Sequence, residues 1–470
     1  MYNQASYPKT VEAEERGFQA LNKHFKLLGV LLLAMVLLAI PFAVQADAAE
    51  GQSVVYLMDG ATGDGSSPES PTKSINTAFG ALDNSLDCTV VVCGPFTHVA
   101  NNYFVRKDWP KSVTITSVYG GVDYRKTNNA VYNTAGGIRF YCSGATTFEN
   151  ITFKNTATKN KFFLVVGAHH PITVGDGVVM EGYPGSSTAT AFSILGGYQA
   201  QAKVNGKLVG AAPKTTNTDP VNITLKSGNG LVIIGYCRGI STADKVYGDA
   251  NITVEGTAQV DALYLTTAQS PNTALGNVNL TVADQAQVDQ VISVANTGTT
   301  AESITVNWDG GSIGALDWIN PAAGNVAVEV TGATTLHASD AVLAAANYAE
   351  IAKGFDAAPV KLAAASVTAA IYSDTTATVR YIIGLDVAEG QTVESYGVMV
   401  AQNAEKVNIA TATLTAPFTG TTTYAVDLVN IPDTALDTAI YAWAYVNLAG
   451  GTQIVLPLEA VTVNGLIPQE

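Results

Sequence analysis

A short strand motif that returns at nearly regular intervals constrains the fold more than any other feature of this sequence. The order Asn, apolar, Thr, apolar occurs at 150–153, 222–225, 251–254 and 279–282, with looser copies at 113–116, 172–174, 303–306 and 326–328. The aligned apolar positions 223, 252, 280, 304 and 328 are separated by 29, 28, 24 and 24 residues. Repeats of this length are typical of one solenoid coil, so we expect a stack of parallel strands between residues 49 and 338.

Within each copy the apolar residues alternate with threonine, and successive side chains of a strand point to opposite faces. The apolar face should therefore pack inward, while threonine faces outward and stacks on threonine of the next coil. We also expect the asparagine amides to form hydrogen bonds from coil to coil. The interval from 174 to 222 exceeds one coil and predicts an excursion or a hairpin.

The first 48 residues predict a signal peptide. Two lysines precede the apolar run 27–40, and a small-residue stretch follows at 46–48. Cleavage after Ala46 or Ala48 would give a secreted, extracellular or cell-surface protein. An uncleaved signal anchor is the alternative, because the leader is long and partly acidic and its apolar stretch is near spanning length.

The balance of charge bears on possible partners. The leader holds four basic and four acidic residues, so the rest of the chain carries the whole net charge of −15. We therefore expect no nucleic-acid partner, and membrane contact only through an uncleaved leader. Only 13% of residues are charged, and the abundance of Thr, Ala, Val, Asn and Gly favours stacked strands over a helical enzyme.

The start of the mature chain predicts a strand at 54–57, a polar loop at 59–71, a short helix and a strand at 89–92. The helix is indicated by Ile75, Ala78, Phe79 and Leu82 at i, i+3, i+4 and i+7. This order resembles the N-terminal cap of bacterial right-handed parallel β-helix proteins of the pectin-lyase-like type. The resemblance implies right-handed coils and a helix that covers the open solenoid end.

The C-terminal third predicts a different architecture. Residues 339–359 contain a helix start, an Ala-rich run and a glycine stop, which predict a helical linker. From 360 to 470, seven short alternating strands separated by turns predict an immunoglobulin- or fibronectin-III-like β-sandwich, with Trp443 in its core. The whole fold class is thus all-β.

Further stretches extend the resemblance. Residues 112–117, 123–125 and 172–178 resemble β-helix surface proteins of Gram-positive bacteria of the gut-anaerobe type, and 395–398 and 441–445 are similar to modules appended to such proteins. The resemblance is architectural. It implies a cell-surface or matrix location and carries no agreed activity.

Enzymes of the pectin-lyase-like type cleave acidic polysaccharides with carboxylates and a basic group, which gives four catalytic candidates here: Asp123, Arg125, Asp176 and Glu181. A structural ion pair between Asp123 and Arg125 is the alternative, because at i, i+2 they would share one face of a strand. Candidate ligand-binding residues that could contact a sugar are His169, His170, Tyr183, Tyr236 and Arg238. For the histidine pair, the alternative is a solvated turn.

Calcium is the one cofactor that the sequence leaves open. Asp59 and Asp64 in the polar loop could hold it, and loop solvation or helix capping is the alternative for both.

Three functions are compatible with these features. The first is a non-catalytic, adhesin-like binding or structural protein associated with an extracellular polysaccharide, a cell-wall glycan or a host matrix glycan. It is favoured because the outward ladders carry Thr and Asn instead of clustered acids and bases. The alternatives are a polysaccharide lyase or glycoside hydrolase, and a self-assembling surface-layer or filament subunit.

Overall fold

The structure is a computed structural model of an all-β chain that contains a β-solenoid of about six turns. It describes residues 52–99, 110–142, 144–159, 161–183, 191–197, 202–204, 207–209, 216–229, 231–234, 245–265, 273–292, 299–318, 328–373, 376–407, 409–415 and 420–467. Residues 52–470 form one compact unit. No helix within the described ranges combines the length and the hydropathy that a membrane span requires.

Within the described residues, three sheets of parallel strands build the solenoid. The largest, sheet 1, has 13 strands: Gln52–Leu57, Asp87–Val92, Ser112–Thr116, Ala145–Glu149, Ile172–Val174, Thr216–Asn217, Val221–Leu225, Lys245–Tyr247, Ala250–Val254, Thr273–Val282, Thr300–Trp308, Glu329–Val330 and Thr334–Ala338. Sheet 2 comprises Ile138–Tyr141, Phe163–Val166, Phe192–Leu195, Leu231–Ile234, Gln259–Tyr264, Gln287–Ile292 and Ser312–Leu316. Sheet 3 comprises Pro95–His98, Val131–Thr134, Thr152–Asn155 and Val179–Glu181.

The predicted stacking is confirmed in the middle of sheet 1. Asn222 pairs in register with Asn251, and Asn251 with Asn279. Their amides form the expected ladder, since Asn251 Nδ2 donates to Asn222 Oδ1 at 3.0 Å and Asn279 Nδ2 to Asn251 Oδ1 at 2.9 Å. The apolar residues between them, such as Ile252, are buried.

Two of the predicted copies and one predicted alignment are wrong. Ile304 pairs with Val278 and not with Leu280, so that copy is displaced by two residues. At 150–153 the chain turns a corner: Asn150 has a φ of 47°, and the next strand, Thr152–Asn155, belongs to sheet 3. The true copy in sheet 1 is Ala145–Glu149, which pairs with Ile172–Val174. At the far end, Ile304 pairs with Thr334 and not with residue 328, because the last coil is longer than its predecessor.

In the part of the solenoid that the structure describes, antiparallel pairs interrupt the coils at two places. The predicted hairpin between 174 and 222 is confirmed as the strands Ala202–Val204 and Lys207–Val209. A smaller pair joins Val118–Tyr119 to Val122–Asp123.

The predicted short helix lies at Ile75–Ala81, and it buries Ile75, Ala78 and Phe79. Ser74 begins it by accepting a hydrogen bond from the Thr77 amide at 3.2 Å. The preceding loop pairs with the first strand, since the Tyr56 amide donates to the Gly65 carbonyl at 2.9 Å. The outer edge of that strand is thus partly hydrogen-bonded by the loop.

At the other end, the helices Asp340–Leu343 and Tyr348–Ala352 follow the last coil. Tyr348 lies 6.3 Å from Trp308 between ring centroids, and its hydroxyl donates to the Val360 carbonyl at 3.1 Å. Both rings are fully buried in one hydrophobic core that continues into the C-terminal strands. The solenoid and the C-terminal region therefore share apolar packing.

The described residues of the C-terminal region form two antiparallel sheets. The three-stranded sheet comprises Val360–Ser373, Thr376–Val387 and Gly420–Pro432, and the four-stranded sheet comprises Val393–Ala401, Ala410–Leu414, Tyr441–Leu448 and Gln453–Pro457. Short helical turns lie at Tyr124–Thr127, Asp433–Ala435 and Val463–Leu466. Trp443 is buried, as expected for a core residue.

Candidate functional site

The candidate catalytic residues Asp123 and Arg125 form an ion pair at the start of a short helix. Arg125 donates from Nε to Asp123 Oδ1 at 2.9 Å and from Nη2 to Asp123 Oδ2 at 3.0 Å. Asp123 also caps the helix by accepting from the Arg125 amide at 3.2 Å, and Lys126 Nζ lies 3.2 Å from its Oδ2. These contacts, led by the Arg125 side chain, hold the pKa of Asp123 well below its usual range.

The remaining Arg125 contact reaches the corner of the coil two places further along the stack. Its Nη1 donates to the Gly177 carbonyl at 3.1 Å. Gly177 has a φ of 67°, and a Cβ there would lie 2.6 Å from Asn150 Oδ1, so the turn needs glycine. The Asn150 amide in turn donates to the Asp176 carbonyl at 2.7 Å. Arg125 therefore holds two corners of the solenoid together.

Asp176 is exposed in the same turn. Its charge helps raise the pKa of Lys226, although the ion pair of Lys226 with Glu255 at 3.1 Å contributes more. Glu181 lies in sheet 3, where it pairs with Lys154 at 3.2 Å. The structure thus brings Asp123, Arg125 and the Asp176 turn together, while Glu181 is engaged by another partner.

The histidine pair lies in a turn at 168–170, as the structural alternative predicts. The expectation that both side chains are solvated is wrong for His169, which is 7% exposed. Its Nδ1 lies 2.8 Å from the Asp219 carbonyl, because the following coil covers the turn. Burial also lowers the pKa of His170, partly opposed by the charge of Asp219.

Of the aromatic and basic ligand candidates, the structure describes one. Tyr183 packs edge-on against Phe192 with 5.9 Å between ring centroids, and its hydroxyl lies 3.1 Å from Thr134 Oγ1. Burial raises the pKa of this hydroxyl. Tyr183 therefore contributes to packing, and Tyr236 and Arg238 lie outside the described residues.

The two calcium candidates are engaged in the loop itself. Asp59 accepts from the Thr97 amide at 2.9 Å and from the Thr97 hydroxyl at 2.6 Å. Asp64 accepts from the amide and hydroxyl of Ser66 at 3.0 and 2.6 Å, and these bonds lower its pKa. Carboxylate oxygens are suitable calcium ligands, but within the described ranges no three His, Cys, Asp or Glu side chains form a group that could hold a metal ion.

The outward face of sheet 1 offers a different kind of site. Six threonines from successive coils align in register: Thr114, Thr147, Thr173, Thr224, Thr253 and Thr281. All six are partly exposed, as are the three asparagines of the amide ladder. With about 4.8 Å between strands, the threonine column is about 24 Å long. We name these threonines and the Asn222, Asn251 and Asn279 ladder the polar columns.

The polar columns are uncharged and regular, and they can donate and accept hydrogen bonds in every coil. The regular spacing of Asn and Thr in the sequence predicts these columns. Sequence reasoning did not identify the interior of the C-terminal region, where Tyr381 lines a cavity between the two sheets. Neither the spacing nor the type of its lining residues distinguishes them from ordinary core positions.

No protein-family model and no curated protein matches this sequence. Among solved structures, the chain is similar to one titled "X-ray structure of Northeast Structural Genomics Consortium target SoR45". The two are 12% identical with a TM-score of 0.17, and the match covers 24% of this chain and 92% of the other. A likeness of this size supports no inference about function.

Proposed function

We propose that this chain is a secreted or cell-surface protein that binds an extracellular polysaccharide or matrix glycan without converting it. The observation that carries the proposal is the pair of polar columns on sheet 1. In this proposal the solenoid is a right-handed, pectin-lyase-like β-helix closed by an N-terminal helical cap. The C-terminal sheets form an immunoglobulin-like sandwich that serves as a spacer or attachment module.

The geometry of the polar columns supports a long, linear ligand. Each coil adds one threonine to the column, and three of them also add an asparagine amide, two residues away on the same strand. The columns therefore lie about 7 Å apart and repeat every 4.8 Å or so along the solenoid axis. Such a surface can form several weak hydrogen bonds with one polymer, and their combined effect is avidity.

The charge of the chain and of the polar columns indicates which class of polysaccharide would bind. The chain has a net charge of −15, while the polar columns are uncharged. An acidic polysaccharide would be repelled by the overall field without gaining a cationic contact on this face. A neutral polysaccharide is therefore the ligand class that we infer.

The state of the catalytic candidates supports binding without conversion. Asp123 and Arg125 are hydrogen-bonded to each other and to a corner of the fold, and Glu181 is paired with Lys154. A general base must be able to reach a substrate proton. A carboxylate already held by two cations, with its pKa lowered, is a poor base.

The test is a screen of the full chain against a glycan array and soluble neutral and acidic polysaccharides, with and without calcium. Two quantities are read: retained binding, and release of reducing or unsaturated ends. Binding of a neutral polysaccharide without product is the expected result. Absence of binding to every neutral polysaccharide would contradict the proposal.

A polysaccharide lyase or glycoside hydrolase is the second candidate. The observation that favours it is the exposed Asp176 carboxylate in the turn held by Arg125. In that case the screen would release product, and Asp176→Ala would abolish the release while leaving the fold intact. Loss of product in Arg125→Ala alone would not distinguish chemistry from a displaced turn.

A further inference from the structure

The two C-terminal sheets are open along one side. Ala410–Leu414 ends the four-stranded sheet and Gly420–Pro432 ends the three-stranded sheet, so within the described residues each has a free edge. A cavity of about 130 Å³ lies between them and is lined by both strands. A second cavity of about 300 Å³ adjoins it, and the two share Val400, Ala410 and Leu428. Together they form one groove, which we name the inter-sheet groove.

The lining of the inter-sheet groove is mainly apolar. Val400, Leu428 and Ile431 contribute to it together with Ala410. Tyr381 lies beneath the smaller cavity, but it is 0% exposed and its hydroxyl is fully covered. A ligand in the groove would therefore contact the aliphatic side chains and not this hydroxyl.

The strand at the rim is unprotected. All five residues of Ala410–Leu414 are exposed, and the neighbouring Ile409 is 45% exposed and Leu414 is 37% exposed. This strand contains neither charge nor proline. Natural sheet edges usually carry lysine, proline or a bulge that prevents pairing with another chain. The strand therefore presents free backbone donors and acceptors beside an apolar groove.

We propose that the inter-sheet groove binds one extended, uncharged peptide segment with alternating apolar side chains, which adds a strand to Ala410–Leu414. Its apolar side chains enter the groove against Val400 and Leu428. This is strand addition at a sheet edge, in which backbone bonds give affinity and the groove gives specificity.

Area and charge select this occupant over a second copy of the chain. A five-residue strand is about 17 Å long, and pairing two such edges would bury far less than the roughly 800 Å² per partner of a stable interface. A second copy would also bring another net charge of −15 to the contact. A single inserted segment avoids the repulsion and fills the space that an edge-to-edge dimer leaves empty.

The experiment measures fluorescence anisotropy of a fluorescein-labelled Thr-Val-Thr-Val-Thr-Val peptide with the full chain. A peptide of the same length with two central prolines is the negative probe, because proline cannot pair along a strand. Ala410→Lys places a long cation at the exposed rim and should weaken the Kd about ten-fold or more. The matched control is Gln453→Lys, an exposed site on the opposite edge of the same sheet, which should leave the Kd unchanged.

Failure of the alternating peptide to bind, or equal binding of the proline peptide, would overturn the proposal. An unchanged Kd in Ala410→Lys would overturn it as well, because the peptide would then not pair with this edge. A dimer in sedimentation velocity that Ala410→Lys dissociates would replace the peptide by a second copy.

Discussion

We predict that the buried His98 lowers the free energy of unfolding in mild acid by a defined amount. It ends the strand Pro95–His98 in sheet 3 and is 1% exposed. Its Nδ1 lies 2.8 Å from the Tyr132 hydroxyl, and the ring of Phe96 packs beside both. Burial lowers the pKa of His98 from 6.5 to about 4, because a charged imidazole would lose its hydration in this site.

Whether acid stabilises or destabilises the fold depends on which state, folded or unfolded, binds the proton. Above pH 6.5, His98 is neutral in both states and the folded protein has its full stability. Between pH 6.5 and 4 the unfolded chain binds a proton that the folded chain excludes, so the free energy of unfolding falls as the pH is lowered. At about 1.36 kcal/mol per pH unit, the interval from 6.5 to about 4 amounts to about 3 kcal/mol.

The assay is urea unfolding of the wild type and His98→Gln at several values between pH 7.5 and 4.5. Gln keeps a polar atom for Tyr132 but does not titrate. Over this range the wild type should lose about 2 to 3 kcal/mol more than the variant. His337→Gln, at an exposed site, should behave as the wild type. Equal losses in the wild type and His98→Gln would refute the reasoning.

Three further predictions concern the solenoid, and thermal unfolding checks each. Asn251→Ala removes both amide bonds of the ladder and should cost about 2 kcal/mol; no change in Tm would mean that the ladder adds nothing. Gly311→Ala should cost about 3 kcal/mol or more, because its Cβ would lie 2.0 Å from a carbonyl oxygen. Gly60→Ala, with a similar φ and nothing within 4 Å, should cost only about 1 kcal/mol, and equal costs would contradict the steric argument. Trp308→Ala should cost about 3–5 kcal/mol, because this fully buried ring packs against the helices that follow the solenoid; a much smaller loss would argue against a shared core.

The periodic part of the fold could be predicted because each coil repeats the same local requirement. The alternation of Ile252 and its neighbours with threonine defines the inward face, and the asparagine ladder follows from the equal spacing. At the corners of the solenoid the same local motif does not predict the structure. Asn150 carries the same local motif but adopts a φ of 47°, which depends on the Asp176 carbonyl of the next coil. A contact between coils is invisible to a motif that spans four residues.

In the candidate site too, features that depend on neighbouring residues could be predicted, and features that depend on distant residues could not. The Asp123–Arg125 ion pair could be predicted from proximity along the chain, although it forms at a helix start and not along a strand. The burial of His169 could not, because the covering residue lies 50 positions away. The inter-sheet groove depends on two strands that meet only in the folded protein, so Tyr381 looks like any core tyrosine in the sequence.

Binding along the polar columns is the central claim, and one variant tests it most directly. Thr224→Val, Thr253→Val and Thr281→Val together remove three stacked hydroxyls from sheet 1 while keeping β-branched side chains. The matched control is Thr368→Val with Thr378→Val in the three-stranded sheet. In affinity electrophoresis through the neutral polysaccharide retained in the screen, the triple variant should lose about ten-fold in affinity, with an unchanged Tm and no effect in the control. Retention equal to the wild type in the triple variant would show that binding does not use this face.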